Sequence, residues 1–141
     1  MLRCSVPSAA DPDVAWALIA EPARWHEWSP HVRGAWGLGD GEVEDSALGA
    51  ARLFGVLPVP ARIDIVEKSA DRKHWVWKIG LVKLDHEVRT DPDGCTIELT
   101  CHAPAPLEAV IRVTYWPIVK LLVDRLATVA ERELPRPSVY A

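Results

Sequence analysis

The sequence predicts an α+β fold: a curved antiparallel sheet of about seven strands, two short helices after the first strand, and one long C-terminal helix. Two patterns point to this fold. Between residues 61 and 103, apolar and polar side chains alternate, which is the period of strands with one buried face. From residue 105 to 134, apolar residues instead recur at the spacing of an amphipathic helix. A sheet followed by such a helix favours a sheet that wraps round the helix.

The C-terminal helix carries the longest helical apolar stripe in the chain. Its members are Leu107, Val110, Ile111, Tyr115, Ile118, Leu122, Leu126 and Val129. Pro117 lies inside this run, and an interior proline removes a hydrogen bond and clashes with the carbonyl four residues earlier, here that of Val113. We therefore expect a kink or a break there. We predict a single domain over residues 1–134 and a flexible tail over 135–141.

The N-terminal region predicts one strand and two short helices. Weak alternation indicates a strand over residues 2–8. Asp11 and Pro12 then indicate a helix start, because an Asp side chain accepts free N–H groups and a first-turn proline loses no hydrogen bond. Pro22 begins a second short helix, predicted over residues 22–28.

Six further strands are expected after these helices. Their predicted spans are 31–38, a segment within 42–57, 61–68, 72–79, 81–90 and 95–103. Pro58 and Pro60 are expected to interrupt the chain before the strand at 61–68, since proline cannot donate to a sheet ladder. The side chains predicted to face the helix are Ala61, Ile63, Ile65, Trp75, Trp77, Ile79, Val82, Leu84, His86, Val88, Cys95, Ile97, Leu99 and Cys101.

Composition argues against several classes of function. With a net charge of −4, the chain lacks the surplus of Lys and Arg that phosphate binding needs, so we expect no nucleic-acid partner. No apolar run approaches the ~20 residues of a membrane-spanning helix, and no basic cluster suggests a membrane-surface helix, so no stable membrane insertion is expected. The N-terminus lacks the apolar core of a secretory leader, which predicts a cytoplasmic protein.

The sequence contains no pattern typical of a metal or cofactor site. The five histidines show no H-x-x-x-H spacing and the three cysteines no C-x-x-C spacing, so no metal site is predicted. The glycine motifs that hold nucleotide phosphates are missing too, and no cofactor is predicted. We interpret Cys4, Cys95 and Cys101 as buried free thiols. The oligomeric state is left open.

Two stretches of the N-terminal region resemble a known signature. The residues concerned are Asp11-Pro12-x-Val14-x-Trp16-Ala17-Leu18-Ile19 and Glu21-Pro22-Ala23-Arg24-Trp25-x-Glu27-Trp28-Ser29-Pro30. They resemble the SRPBCC, or START-like, superfamily, which includes START lipid-transfer domains, birch-pollen-allergen-like proteins and polyketide cyclase/dehydrase-like proteins. His86 and the run Asp93-Gly94-Cys95-Thr96-Ile97 add a looser likeness. The resemblance implies a helix-grip fold with a cavity between the curved sheet and the last helix, open to small apolar molecules.

His86 is the foremost candidate for a functional group. It is in phase with Val82, Leu84 and Val88, on the face predicted to line the cavity. An imidazole there could hydrogen-bond a ligand carbonyl or act as a general base, since its pKa lies near neutrality. The alternative is a core histidine whose ring is satisfied by neighbouring groups, and we favour this alternative over catalysis.

The other candidates are ligand-contacting residues. Arg52 could hold a carboxylate or carbonyl if its strand turns it inward, although a solvent-facing arginine is the favoured alternative. Tyr115 could offer its hydroxyl to the cavity, and Trp75 and Trp77 could stack on a flat ring or simply fill volume. The full set of expected ligand contacts is Trp36, Arg52, Phe54, Trp75, Trp77, His86, Leu99, Tyr115, Ile118 and Leu122.

Three functions are compatible with these features. The first is the binding, transport or sequestration of a small hydrophobic, aromatic or lipid-like molecule between the sheet and the C-terminal helix. The second is an enzyme resembling polyketide cyclases and aromatases, with His86 as its acid/base group. The third is a non-enzymatic adaptor whose core is filled. The chain has seven Trp, one Phe and two Tyr. The choice among the three functions depends on whether the Trp side chains line a cavity or fill it.

Overall fold

The computed structural model describes residues 1–133; the predicted flexible tail, 135–141, lies outside the described residues. The strands are β1 (Leu2–Ser8), β2 (Val32–Trp36), β3 (Leu48–Leu53), β4 (Leu57–Lys68), β5 (Arg72–Ile79), β6 (Val82–Asp91) and β7 (Gly94–His102). The α-helices are α1 (Pro12–Ala20), α2 (Ala105–Thr114) and α3 (Trp116–Arg132), and a 3₁₀ helix spans Pro22–Glu27.

The seven strands form one antiparallel sheet in the order β1-β7-β6-β5-β4-β3-β2. Cross-strand pairs place Trp75 opposite His86 and His86 opposite Leu99, so the predicted inward side chains of β5, β6 and β7 share one face. That face lies under the helices and holds most of the buried core. The predicted α+β helix-grip fold, with a seven-stranded curved sheet, is confirmed.

The N-terminal helices begin where the sequence predicts, and hydrogen bonds join them to each other. The Asp11 carboxylate accepts the Asp13 N–H at 2.8 Å, and Pro12 opens α1. The indole N–H groups of Trp25 and Trp28 donate to the carbonyls of Ile19 and Leu18 at the end of α1. These bonds satisfy buried indoles and fix the 3₁₀ helix against α1, at one end of the space over the sheet.

Strand β4 corrects two expectations. It begins at Leu57 and contains both Pro58 and Pro60, which do not interrupt it. Ile63 donates its N–H toward β3, so the two proline nitrogens point to the other side, where pairing with β5 begins only at Arg62. Neither proline therefore removes a ladder hydrogen bond.

A bulge in β4 turns Ile65 away from the core. The pairing with β5 shifts between Ile63 and Ile65, which adds one residue to the period-two pattern. Ile65 was predicted to face the helix but is 41% exposed, whereas Val66 pairs with Trp75 and packs against the core.

The C-terminal helix is broken as predicted. Tyr115 separates α2 from α3, and Pro117 sits in the first turn of α3, where a missing N–H costs nothing. The break changes the phase of the apolar stripe, so that Trp116, Val119 and Val123 face inward together with the predicted Leu122 and Leu126.

The two C-terminal helices differ in how they are packed. Helix α3 has seven buried residues, whereas α2 has none within the described part of the chain. Neither they nor any other helix of residues 1–133 is long and apolar enough to span a bilayer.

The outer face of the sheet is held by ion pairs. Arg72 and Arg89 both pair with Glu87, and Arg89 also pairs with Glu98. Arg3 pairs with Glu98 at 3.0 Å. Both glutamates are nearly buried, which acidic residues tolerate when they are paired. The outer face of the sheet therefore carries paired charges, in contrast to the apolar face under the helices.

Candidate functional site: an apolar cavity beside an aromatic cluster

One end of the space between sheet and helices is filled by four rings, Trp25, Trp75, Trp77 and His86, called here the aromatic cluster. Trp75 stacks with both Trp25 and His86, with ring centroids 5.8 Å and 3.7 Å apart respectively. Trp77 meets all three of the other rings edge-on, at 5.4–5.6 Å. Such stacked and edge-to-face contacts add to the stabilisation from burial.

His86 is a structural member of this cluster. His86 is only 4% exposed. Its Nδ1–H donates to the Trp75 carbonyl oxygen, with 3.3 Å between the nitrogen and the oxygen. Burial disfavours the charged imidazolium and lowers the pKa of His86 to about 3. The ring is therefore neutral and a weak base at pH 7, which agrees with the favoured prediction of a core histidine.

A small inner chamber of about 50 Å³ remains inside this end of the molecule. It is lined by Ile19, Trp25, Trp28, Ser29, His31, Val32, Trp75, Trp77, Leu84, His86, Leu99, Tyr115, Val119 and Leu122. Within the described residues, the buried Trp75 Nε1–H has no hydrogen-bond partner. The chamber has room for a few water-sized groups but not for a ligand of two rings.

A larger outer cavity of about 340 Å³ lies next to it, under α2. It is lined by His31, Val32, Ala51, Leu53, Val59, Trp77, Ile79, Val82, Leu84, Cys101, Ile111, Tyr115 and Trp116. Nearly all of this wall is apolar, and its volume falls in the range of small-molecule sites. The space is therefore filled at one end and hollow at the other.

The inner chamber and the outer cavity share a polar pair, His31 and Tyr115. His31 Nε2 and the Tyr115 hydroxyl oxygen are 2.6 Å apart, and the two rings meet edge-on. Ser29 Oγ lies 3.5 Å from His31 Nδ1 and accepts the N–H of Val32 at 3.1 Å. Burial lowers the pKa of His31 and raises the pKa of Tyr115 to about 12, so both side chains are neutral at pH 7.

Six of the ten predicted ligand contacts line this space. Trp75, Trp77, His86, Leu99, Tyr115 and Leu122 border the inner chamber, and of these Trp77 and Tyr115 also border the outer cavity. Trp75, His86, Leu99 and Leu122 therefore border only the small inner chamber. That these six side chains contact a ligand stays a prediction.

The other four predicted contacts lie elsewhere. Strand β3 turns Ala51 and Leu53 inward, which leaves Arg52 outside the cavity. The Arg52 guanidinium instead packs over the ring of Trp36, 5.2 Å from its centroid, and donates to the Gly55 carbonyl. Arg52 thus points away from the cavity, as in the alternative favoured from the sequence. Trp36, which it covers, does not line the cavity either.

Phe54 and Ile118 are also wrong as cavity residues. Phe54 falls in the turn after β3 with a positive φ of 53° and is 63% exposed. Ile118 is 46% exposed, because the helix break at Tyr115 rotates it outward and brings Trp116 and Val119 inward instead.

Several cavity residues were missed by sequence reasoning. His31 follows Pro30 in an apparent strand start, and nothing local marks it as inward. Its partner Tyr115 is 84 positions away, a separation at which periodicity carries no information. Trp116 could have been found by restarting the helical pattern after the expected break at Pro117. Within residues 1–133, no three His, Cys, Asp or Glu side chains are placed to hold a metal ion.

Taken together, the fold and the cavity define a helix-grip protein with an apolar space between its sheet and its C-terminal helices. The chain belongs to the family described as "Polyketide cyclase / dehydrase and lipid transport", whose model matches residues 2–131. The resemblance to the SRPBCC superfamily is therefore confirmed. No match to a curated protein was found.

Solved structures share the fold at low sequence identity. A Thermobifida fusca protein is 21% identical with a TM-score of 0.71, and the alignment covers 93% of each chain. Norcoclaurine synthase from Thalictrum flavum is 14% identical with a TM-score of 0.60 over 94% of each chain. DynU16, from the dynemicin biosynthetic locus, is 17% identical with a TM-score of 0.65; the alignment covers 93% of this chain and 47% of DynU16. At these identities the likeness concerns the fold alone.

Proposed function

We propose that the protein binds a small hydrophobic molecule, with a flat ring system or a lipid-like chain, in the outer cavity. The observation that carries this proposal is a hollow of about 340 Å³ with an almost wholly apolar wall. Two other grooves of the described structure have volumes of about 470 and 370 Å³, but their linings are mainly polar, so it is the apolar wall that sets this hollow apart as a site for a hydrophobic molecule. The family description, which joins cyclase and dehydrase chemistry with lipid transport, supports a ligand of this class.

Burial supplies the binding energy in this proposal. A two-ring ligand that loses about 250 Å² of apolar surface to the cavity gains about 6 kcal/mol at 25 cal/mol per Å². The loss of translational freedom offsets part of that gain. Affinities in the micromolar range or weaker are therefore expected for simple aromatic probes.

The alternative enzyme with His86 as its acid/base group has little support from the geometry. His86 borders only the inner chamber, which is too small for a polyketide, and is not part of the outer cavity wall. Its pKa of about 3 makes it a poor base at neutral pH. The alternative of an adaptor with a filled core fits the aromatic cluster but not the hollow under α2.

The proposal is tested by filling the cavity. Ala51 is buried on β3 and borders the outer cavity, so Ala51→Phe places a ring where the ligand would lie. Ala50→Phe is the matched control, because it adds the same ring to the opposite face of the same strand. Binding is followed with N-phenyl-1-naphthylamine, a neutral probe that fluoresces in apolar surroundings.

Wild type and Ala50→Phe are expected to bind the probe alike, and Ala51→Phe to bind it at least about ten-fold more weakly, as the displaced contacts require. Thermal unfolding of both variants establishes that they are folded. If Ala51→Phe fails to fold, Val82→Trp fills the same cavity from β6. Unchanged affinity in a folded cavity-filled variant, or no probe binding by wild type, would overturn the proposal.

A further inference from the structure

The wall of the outer cavity carries a hydrogen-bonded polar pair, His31 and Tyr115. We propose that this pair is the anchor for a neutral carbonyl oxygen, so that the ligand is an apolar molecule carrying a ketone, aldehyde or quinone-type group. The inference rests on the proposed function and deepens it, since it assigns the chemistry of the ligand's polar end.

Three side chains form a hydrogen-bonded series, Ser29 to His31 to Tyr115. Which group donates in each bond is inferred from Ser29. Ser29 is nearly fully buried, and its Oγ already accepts the backbone N–H of Val32. In the part of the chain that the structure describes, the acceptor placed for the Ser29 hydroxyl hydrogen is His31 Nδ1, at 3.5 Å. A buried hydroxyl hydrogen without an acceptor is unfavourable, and on this ground we assign Ser29 as the donor and Nδ1 as the acceptor.

The donor assigned to the Ser29–His31 bond also determines the donor in the bond between His31 and Tyr115. A neutral imidazole carries one proton, and because Nδ1 accepts, the proton lies on Nε2. His31 Nε2–H then donates to the Tyr115 oxygen at 2.6 Å. The hydroxyl hydrogen of Tyr115 is left for a further acceptor, and Tyr115 borders both the inner chamber and the outer cavity. Tyr115 is 36% exposed, so water can accept this hydrogen in the free protein, and a carbonyl oxygen of a bound molecule takes the place of that water.

Charge and rigidity favour a neutral carbonyl over a carboxylate. Burial keeps His31 uncharged by lowering its pKa, and the pKa of Tyr115 is raised to about 12, so no cation faces the cavity from this pair. A carboxylate would be desolvated without a counter-ion, which is costly. The Tyr115 hydroxyl is also held in place by His31, so its orientation costs little on binding.

The other polar groups on the same wall are compatible with an acceptor on the ligand. Trp77 and Trp116 contribute indoles, whose N–H groups can only donate. Cys101 contributes a thiol, a weak donor and a weak acceptor. These three side chains add no charge to the wall, which otherwise holds a ligand by apolar contact.

The test compares two ligands of nearly the same shape in two proteins. The ligands are 2-acetylnaphthalene, which has a carbonyl oxygen, and 2-isopropenylnaphthalene, in which a CH₂ group replaces it. The proteins are wild type and Tyr115→Phe, which keeps the ring and removes the hydroxyl. Tyr115→Phe is expected to weaken the ketone about five-fold, the effect of one hydrogen bond, and the hydrocarbon less than about two-fold.

Equal weakening of both ligands, or no weakening of either, would overturn the carbonyl anchor while leaving the proposed function intact. Failure of both ligands to bind wild type would instead count against the proposed function itself. A third ligand, 2-naphthylmethanol, tests the direction of the bonds. If Tyr115→Phe weakens the alcohol more than the ketone, the pair presents an acceptor and the assignment is wrong.

A spectroscopic measurement on wild type keeps the proposal testable if Tyr115→Phe does not fold. Nitrogen-15 NMR of the imidazole is expected to report the proton of His31 on Nε2, and a ¹³C-carbonyl-labelled ketone is expected to shift downfield on binding, as a hydrogen-bonded carbonyl does. A proton on Nδ1, or a carbonyl shift equal to that in hydrocarbon solvent, would contradict the proposal.

Discussion

The two ends of the space above the sheet differ in composition and in packing: aromatic rings fill one end, and mostly aliphatic side chains line a hollow at the other. At one end, Trp25, Trp75, Trp77 and His86 pack into a cluster that leaves about 50 Å³. At the other end, the wall borders a hollow of about 340 Å³. Trp77 belongs to both, with its ring edge-on to the cluster and a surface on the outer cavity. Whether the tryptophans plug or line the interior therefore has a different answer at each end.

The helices above the two ends explain the difference. Helix α3 lies against β1, where the Ser8 hydroxyl donates to the Ala127 carbonyl and the Ala9 N–H donates to Glu131. Helix α2 has no buried residue in the described structure and reaches the cavity mainly through Ile111. A continuous helix would have pressed both halves onto the sheet. The break at Tyr115 lets one half pack and the other cover a hollow.

The largest expected effect comes from the same truncation in each helix. Leu126 in α3 is fully buried and Leu107 in α2 is half-buried. Leu126→Ala is expected to lower the free energy of unfolding by about 2–5 kcal/mol, because it leaves a cavity in dense packing. Leu107→Ala is expected to cost less than about 1 kcal/mol. Urea unfolding of both variants gives the comparison, and equal losses would show that α2 is packed as firmly as α3.

A smaller effect concerns the pH dependence of the filled end. The pKa of His86 is about 3 in the folded protein, against about 6.5 for a histidine in an unfolded chain. Below pH 6.5 the unfolded chain therefore binds a proton that the folded protein does not, and stability falls as the pH falls toward 3. Between pH 8 and pH 5 this amounts to about 2 kcal/mol, which His86→Phe should remove from the stability profile.

His74, on the outer face of β5, provides an internal control with the opposite sign. Burial opposes its protonation, but hydrogen bonds to Glu67 and Asp85 outweigh burial and raise the pKa of His74. Its contribution to stability is present below the unfolded pKa and is lost as the pH rises through the folded pKa. Proton NMR should show His74 titrating above about 6.5 and His86 flat down to pH 5. A His86 midpoint near 6.5 would mean that water reaches the aromatic cluster.

Much of the fold was predictable because it depends on local patterns. Alternation in β5, β6 and β7 correctly placed Trp75, His86 and Leu99 on one face. Pro117 marked the helix break, since the missing N–H acts on the backbone next to it. The bulge that turns Ile65 outward was not predictable, because one extra residue in a strand leaves no mark in the residue types.

The cavity itself was less accessible to sequence reasoning. Its polar pair joins His31 and Tyr115, which only the folded chain brings together. In β3 it is Ala51 and Leu53 that face the cavity. Arg52, between them, therefore lies on the opposite face of the sheet, where it packs over Trp36. Strand phase in a short segment flanked by glycines is weakly determined by its sequence, so candidates on β3 could be assigned only from the structure.

The most direct measurement is a methyl NMR titration of the protein with naphthalene. Ligand-induced shifts are expected at Leu53, Val82 and Ile111, which border the outer cavity, and not at Val123 or Leu126 on the buried face of α3. Cross-relaxation between naphthalene protons and the same three side chains should accompany the shifts. A titration with no methyl shifts, or with shifts that are largest at Val123 and Leu126, would contradict the conclusion that the hollow end under α2 is the binding site.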